Sequence, residues 1–542
     1  MRLKGKNSDR SKTILWFVVT VTAILIIISF IPPITIGGMK LKRVNVLSVL
    51  IDFHDSIVSN QTSADILDTT CLNESSALAF LDAQLGSKGG NDYLALLSDS
   101  SAADSLLGNA GQASDPLRAG GNVVQLSDED NVMLSSVDSL TQCATESEAP
   151  VYEFNHAGIE DYSHNGEMID RFLRALTVDS KTRNVRIAFL GDSFIEGDIL
   201  TSDFRRQLQS EYGGEGLGFI PFADPIGKYR PLINQEFYNW TCYNLLRKKN
   251  VPAKYKNDFY VSGYVSVPKP GAVATFTPRS SKQGSSSLSS ARIIFKNRGE
   301  TEMKVIVNNA DTLDFVLQQK EEVQQINIHE QNIRSLTVKL PKCNEFIGYG
   351  VVFLGEKGVN VDNYGLRSNS GLNMFSTELS VNQQINDMLH YDLVVMEYGL
   401  NALRKDVTNY DYYASKLERL VDYIKICFPK SAILLISVGD IGMKKDNTII
   451  TAPAVKPMVK AQRKIAKNSR VAFWNLFSAM GGENSIQRFV SNGWAAKDYL
   501  HINHKGGHEI SNLLIRVLND QLNLYEQKTI GKNKEYVEEA AI

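Results

Sequence analysis

The stretch VRIAFLGDSFIEGD, residues 185–198, decides how the rest of the chain is read. An apolar run of Val, Ile, Ala, Phe and Leu, broken only by Arg186, stops at Gly191. A strand buried on both faces of a parallel sheet reads this way. Gly191 permits a sharp turn and leaves Asp192 and Ser193 at the carboxyl end of the strand, where open α/β sheets place their ligands. Residues 199–212 have helical spacing, so Ser193 is expected near a helix N-terminus, whose N–H groups favour negative charge. A polar strand-to-helix turn without function has the same composition, so the decision rests on finding a base.

A candidate base lies far downstream, in Asp498-Tyr499-Leu500-His501. An Asp and a His three apart can share one turn. The carboxylate then fixes the imidazole tautomer, and the second ring nitrogen can take a Ser proton. Two further blocks lie in between. Tyr398-Gly399-Leu400-Asn401 follows the apolar run 393–397. Residues 472–475 (AFWN), 479–482 (AMGG) and 493–496 (GWAA) lead into Asp498 and His501. Nucleophile first, Gly-x-Asn in the middle and Asp-x-x-His last resembles the GDSL/SGNH hydrolase superfamily. The last run is similar to its bacterial peptidoglycan and polysaccharide O-acetylesterase branch. The resemblance spans residues 150–525.

At 542 residues the chain has room for more than one domain, and a net charge of −2 gives no electrostatic case for nucleic-acid binding. Residues 1–13 are polar and basic. Residues 14–31 are almost wholly apolar and end at Pro32-Pro33. A helix of that length spans roughly 27 Å, enough for a bilayer core. With no small-residue cleavage site, the segment reads as a retained signal anchor, its basic flank favouring N-in orientation. Lys40, Lys42 and Arg43 on the far side weaken that orientation without reversing it. The five cysteines, Cys71, Cys143, Cys242, Cys343 and Cys427, form no Cys-x-x-Cys pair. Cys427 reads as a buried thiol, and Cys242 and Cys343 flank a proposed insertion and bridge only if they are close.

Residues 32–150, rich in Ser, Asp, Asn, Gly and Ala, read as a tether or loosely folded stalk. A first α/β part is expected over 151–254. The glycine-rich residues 214–219 follow a helix and lack a Lys-Ser/Thr, so they do not read as a phosphate loop. Residues 255–345 alternate in the strand period, at 260–265, 291–295, 303–307 and 335–340. This is a β-rich insertion, most simply a sandwich. The α/β pattern is expected to resume at 349–354 and to run over 346–525. Its strands are expected at 393–397, 432–437 and 471–474, and its helices at 412–427, 455–466 and 509–522. Alternation of strands and helices implies a parallel sheet between helical layers. The charged residues 526–542 read as a loose tail.

The resemblance implies a three-layer α/β/α, flavodoxin-like fold and a carbohydrate-binding-like inserted module. It assigns Ser193 as nucleophile, His501 as base and Asp498 as the acid that orients it. The oxyanion donors would be the Ser193 N–H, the Asn401 amide and one N–H from residues 363–371. There the chain departs from the family, because the register puts Ser368 where a Gly is usual, and a shifted register makes Gly365 the donor. Asp192 reads as a turn residue. His501, His504, His508 and Glu509 also make a conceivable metal cluster, but that reading leaves the Ser and Asn blocks unexplained, and no cofactor is called for. The implied activity is a membrane-anchored, extracytoplasmic (periplasmic) serine esterase acting on acetyl groups of a cell-wall or surface glycan. The rivals are an O-acetyltransferase with the same triad, fed by a membrane-bound acyltransferase partner, and a non-catalytic glycan-binding protein.

Overall fold

A computed structural model of the chain describes residues 158–279, 288–404 and 407–540, together with a pair of two-residue strands, Thr35–Ile36 and Met39–Lys40. The chain divides into two compact units, Met1–Asp68 and Thr69–Ile542. In the first, the two strands pair antiparallel. The expected membrane span at 14–31 and almost all of the 32–150 stalk lie outside the described residues. Among the described residues, no helix is long and apolar enough to cross a membrane.

The second unit is built on a six-stranded sheet. Its strands are β1 (Ile159–Asp161), β2 (Asn184–Gly191), β3 (Gly358–Gly365), β4 (Leu393–Glu397), β5 (Ala432–Ile436) and β6 (Ala472–Trp474), in the spatial order β3-β2-β4-β5-β6-β1. All neighbours are parallel except β1, which pairs antiparallel at the edge. Numbered along the chain, the five parallel strands run 2-1-3-4-5. In that doubly wound order the connections diverge beside the first strand and open a crevice at its carboxyl end.

The side chains of β2 explain the layers. Val185, Ile187 and Phe189 point into one core, with α1 (Glu167–Thr177), α2 (Thr201–Tyr212) and the first part of α6 (His504–Ala540). Ala188 and Leu190 point into the other, with α3 (Leu379–Leu389), α4 (Asp411–Cys427) and α5 (Val455–Asn468). Both faces of the strand are buried, as its unbroken apolar run requires.

Between β2 and β3 lies a nine-stranded antiparallel sheet that runs from Gly218–Pro221 to Phe346–Leu354. It is wider than the expected insertion at 255–345, and its strands form one hydrogen-bonded sheet. The long strand Tyr264–Pro278 pairs along its length with Ile233–Asn244, and at successive points with Phe346–Leu354 and Leu336–Lys342. Phe346–Leu354, expected to restart the α/β pattern, pairs antiparallel with Ser290–Asn297 and belongs here. The glycines of 214–218 are explained by crowding against β3: a Cβ on Gly216 would lie 1.6 Å from Asn360 Oδ1, and one on Gly218 would lie 2.4 Å from the Val361 carbonyl. The expected loose tail is instead a continuation of α6 to Ala540.

Candidate active site

Gly191 ends β2 opposite Gly365 of β3 and Glu397 of β4, so the turn that follows opens at the crevice between these strand ends. Asp192 Oδ1 accepts the Phe194 N–H at 3.0 Å, closing the turn and leaving Ser193 at its crest, 8% exposed. The expected helix N-terminus is not at Ser193. A 3-10 turn, Glu196–Asp198, comes first, and α2 begins only at Thr201. The detour brings the buried Asp198 carboxylate to Thr201 Oγ1 at 2.8 Å, Arg205 at 3.4 Å and Arg230 at 3.5 Å. These cations hold it below the usual carboxylate range against the opposing effect of burial.

The base pair forms within its own loop. His501 Nδ1 lies 2.8 Å from Asp498 Oδ2, while Asp498 Oδ1 accepts the N–H groups of Leu500 at 2.9 Å and His501 at 3.1 Å. Burial pushes the Asp498 carboxyl up, but these bonds outweigh it and hold it below the usual range. Asn503 Oδ1 then takes the N–H groups of Lys505 and Gly506 at the start of α6. That helix packs so closely on the nucleophile segment that a Cβ on Gly507 would lie 1.9 Å from the Ile199 carbonyl. Phe194, Ile195, Leu200, Ala495, Ile502 and Ile510 share one core. His501 thereby comes within electrostatic reach of Asp192, beside Ser193. No hydrogen bond joins Ser193 to His501 in this conformation; catalytic hydrogen bonds are often long before substrate binds.

Asn401 follows β4 through Gly399, whose φ of 124° excludes a side chain. It does not cap a long helix. Its Nδ2 donates to Asp192 Oδ2 at 2.8 Å and, more weakly, to the Asn369 carbonyl at 3.3 Å. That carbonyl belongs to the 366–371 loop, where Ser368 adopts φ 66°. Among the described residues, the N–H groups of Ser193 and Ser368 have no hydrogen-bond partner. The Gly365 N–H is committed to Asn363 Oδ1 at 2.9 Å, and the Glu196 backbone covers Gly365. Of the two registers, only the one with Ser368 leaves a free donor.

Three features were not read from the sequence. Asp192 joins the nucleophile turn to Asn401. The buried Glu196 carboxylate holds Arg367 at 2.9 Å, next to Ser368. Glu397 lies buried beneath the site; its signal is an acidic residue closing the run Leu393-Val394-Val395-Met396. The histidines engage different carboxylates, His508 lying 3.6 Å from Asp203, and among the described residues no three metal-binding side chains converge. Cys242, Cys343 and Cys427 are free thiols.

No protein-family model matches the chain, and no curated protein matches it in sequence. Among solved structures, the chain resembles a peptidoglycan O-acetylesterase at TM-score 0.56 and 21% identity, covering 67% of this chain and 99% of that one. A GDSL-like lipase from Parabacteroides merdae (TM-score 0.24, 16% identity, 30% and 73% covered) and an acetyl xylan esterase (TM-score 0.23, 15% identity, 29% and 80% covered) are more distant. The first likeness concerns the fold alone, a doubly wound α/β sheet.

Proposed function

We propose that the chain is a serine esterase that removes O-acetyl groups from a cell-wall or surface glycan, held at the membrane by residues 14–31 with its catalytic unit outside the cytoplasm. The observation that carries the reading is the convergence, at one strand-end crevice, of Ser193, a preformed Asp498–His501 pair and two uncommitted N–H groups. A serine hydroxyl needs a base to attack an ester, and His501 Nε2 is the free ring nitrogen. As Ser193 Oγ bonds to the acetyl carbon, its proton passes to His501. The carbonyl oxygen becomes an oxyanion facing the N–H groups of Ser193 and Ser368 and the Asn401 amide, which gives up its weaker bond to the Asn369 carbonyl to donate to it. The tetrahedral intermediate collapses, the sugar oxygen leaves with the proton from His501, and an acetyl-enzyme remains. Water, deprotonated by His501, then releases acetate.

The side chains of His501 and Asp498 are 49% and 41% exposed. Water reaches the base freely, which favours hydrolysis over transfer to a second sugar. The test is to assay the protein on acetylated peptidoglycan and acetylated polysaccharide, with and without an acceptor sugar. Acetate release that is independent of acceptor and lost in Ser193→Ala supports the reading. Acetyl transfer to the acceptor would assign the transferase instead, and no reaction in either assay would leave a glycan-binding role. For the anchor, protease added to intact spheroplasts removes the catalytic unit; full protection refutes the topology.

A further inference from the structure

Beneath the oxyanion donors lie two carboxyls that take no direct part in the cycle above. Register sets Glu397, the last residue of β4, against Gly191, so its side chain meets the Asp192 turn. Both groups are buried, Asp192 at 0% and Glu397 at 2% exposure. Their hydrogen bonding is unequal. Asp192 Oδ1 accepts the Phe194 N–H and Oδ2 accepts the Asn401 amide. The Asp192 N–H lies near enough to the Glu397 carboxyl to favour its charge slightly, while Glu397 Oε2 has no partner. The groups facing the pair are the phenols of Tyr398 and Tyr413, and the buried Glu196 and the more exposed His501 act electrostatically on Asp192. Among the described residues, no Lys or Arg pairs with either carboxyl.

Two neighbouring, buried and unneutralised carboxylates cannot both be ionised at modest cost. The one with both oxygens accepting N–H bonds is the better anion, and the one with an orphan oxygen is the better acid. We infer that Glu397 is a positioning residue: a neutral carboxylic acid whose proton limits the floor of the oxyanion hole to one negative charge, carried by Asp192, which fixes the plane of the Asn401 amide. Burial, reinforced by the Asp192 charge, pushes the Glu397 carboxyl well up, in the same sense. The pair titrates as a unit. Ionising Glu397 places a second negative charge under the site where the oxyanion must form, so it opposes the transition state and leaves ground-state binding little changed.

The inference rests on the esterase reading for its kinetic consequence, but the proton can be measured without activity. Infrared spectra of the whole protein at about pH 8, where an ordinary Glu is fully ionised, are expected to show a protonated carboxylic acid band that disappears in Glu397→Gln. Superimposable spectra of the two proteins in that region overturn the assignment. In acetyl ester hydrolysis, wild-type kcat is expected to fall on the alkaline side with KM unchanged, and that fall is expected to be lost in Glu397→Gln, whatever its level of kcat. Profiles of the same shape overturn the positioning role. If wild type hydrolyses no acetyl ester at any pH, the esterase reading fails while the infrared result still decides where the proton is.

Discussion

Ser193 is a hydroxyl at the crest of a turn and, among the described residues, makes no side-chain hydrogen bond, so the catalytic contribution proposed for it and its structural contribution separate. Ser193→Ala is expected to lower kcat for an acetyl ester by more than about 10³-fold, while unfolding in urea changes by under ~0.5 kcal/mol. His501→Ala is expected to cost nearly as much, and Asp498→Ala to leave more residual rate, because the three act as a unit. Asn401→Ala is expected to lower kcat by about 10²–10³ with a small effect on KM, because it faces charge that exists only in the transition state. Burial raises the Asp192 carboxyl to about 7. As this is above its value in the unfolded chain, the folded state binds the proton more tightly. The stability this confers is full at acid pH below the ordinary Asp range, and it is lost as pH rises through about 7. Asp192→Asn is therefore expected to raise Tm relative to wild type more at pH 8 than at pH 5, as thermal unfolding at both values will show. The Asp498–His501 pair was legible because an Asp and a His three apart can share one turn, and the structure places them 2.8 Å apart. Register alone left Ser368 and Gly365 both open as donors; what separates them is a left-handed backbone at the non-glycine Ser368 and the Gly365 N–H committed to Asn363, neither of which a linear reading supplies.

At the scale of elements, apolar continuity made β2, β4, β5 and β6 legible, along with α2, α4 and α5, while α3 was not expected. β3 escaped because it carries Asn360, Asp362 and Asn363, all buried. Each has a partner that a linear reading cannot supply. Asn360 donates to Asn184, Asp362 pairs with Arg186, and Asn363 donates to the Ile195 carbonyl and Thr201. The last of these ties the oxyanion strand to the nucleophile turn. The 224–230 loop is tied to the same turn from the antiparallel sheet: Arg230 pairs with Asp224 at 2.7 Å and reaches Asp198 at 3.5 Å, all three buried. Arg230→Met leaves two buried carboxylates without this cation. It is expected to destabilise the protein by about 3–5 kcal/mol, read by urea unfolding. It is also expected to lower kcat, because Asp198 lies in the turn that follows Ser193. An unchanged kcat would show that Ser193 is positioned independently of this network.

At the scale of the whole molecule, the inserted strands invite the picture of a separate module, and the alternating pattern of residues 255–345 suggests one. The core contradicts it. Phe259, Tyr260, Val265, Ile294, Tyr349 and Val352 from the antiparallel region pack in one apolar cluster with Val394, Met396, Leu417 and Ile424 of the α/β region. A buried polar chain crosses the same boundary, from Tyr260 to Tyr364 at 3.2 Å, then to Tyr391, Asp362 and Arg186. A pattern of alternation reports which face of a strand is buried, and it is silent about what buries it; that is why the insertion was legible and its dependence was not. A region whose inner face is completed by another part of the chain cannot keep its own core when that part unfolds. The catalytic unit is therefore expected to melt in one calorimetric transition, and a fragment of residues 218–354 alone is expected to lack cooperative unfolding and to bind hydrophobic dye. Two resolved transitions in the intact protein, or a fragment that unfolds cooperatively, would show that the antiparallel sheet is an independent domain. The buried ion pairs at Arg230 would then act as an interface between domains and not as part of a single core.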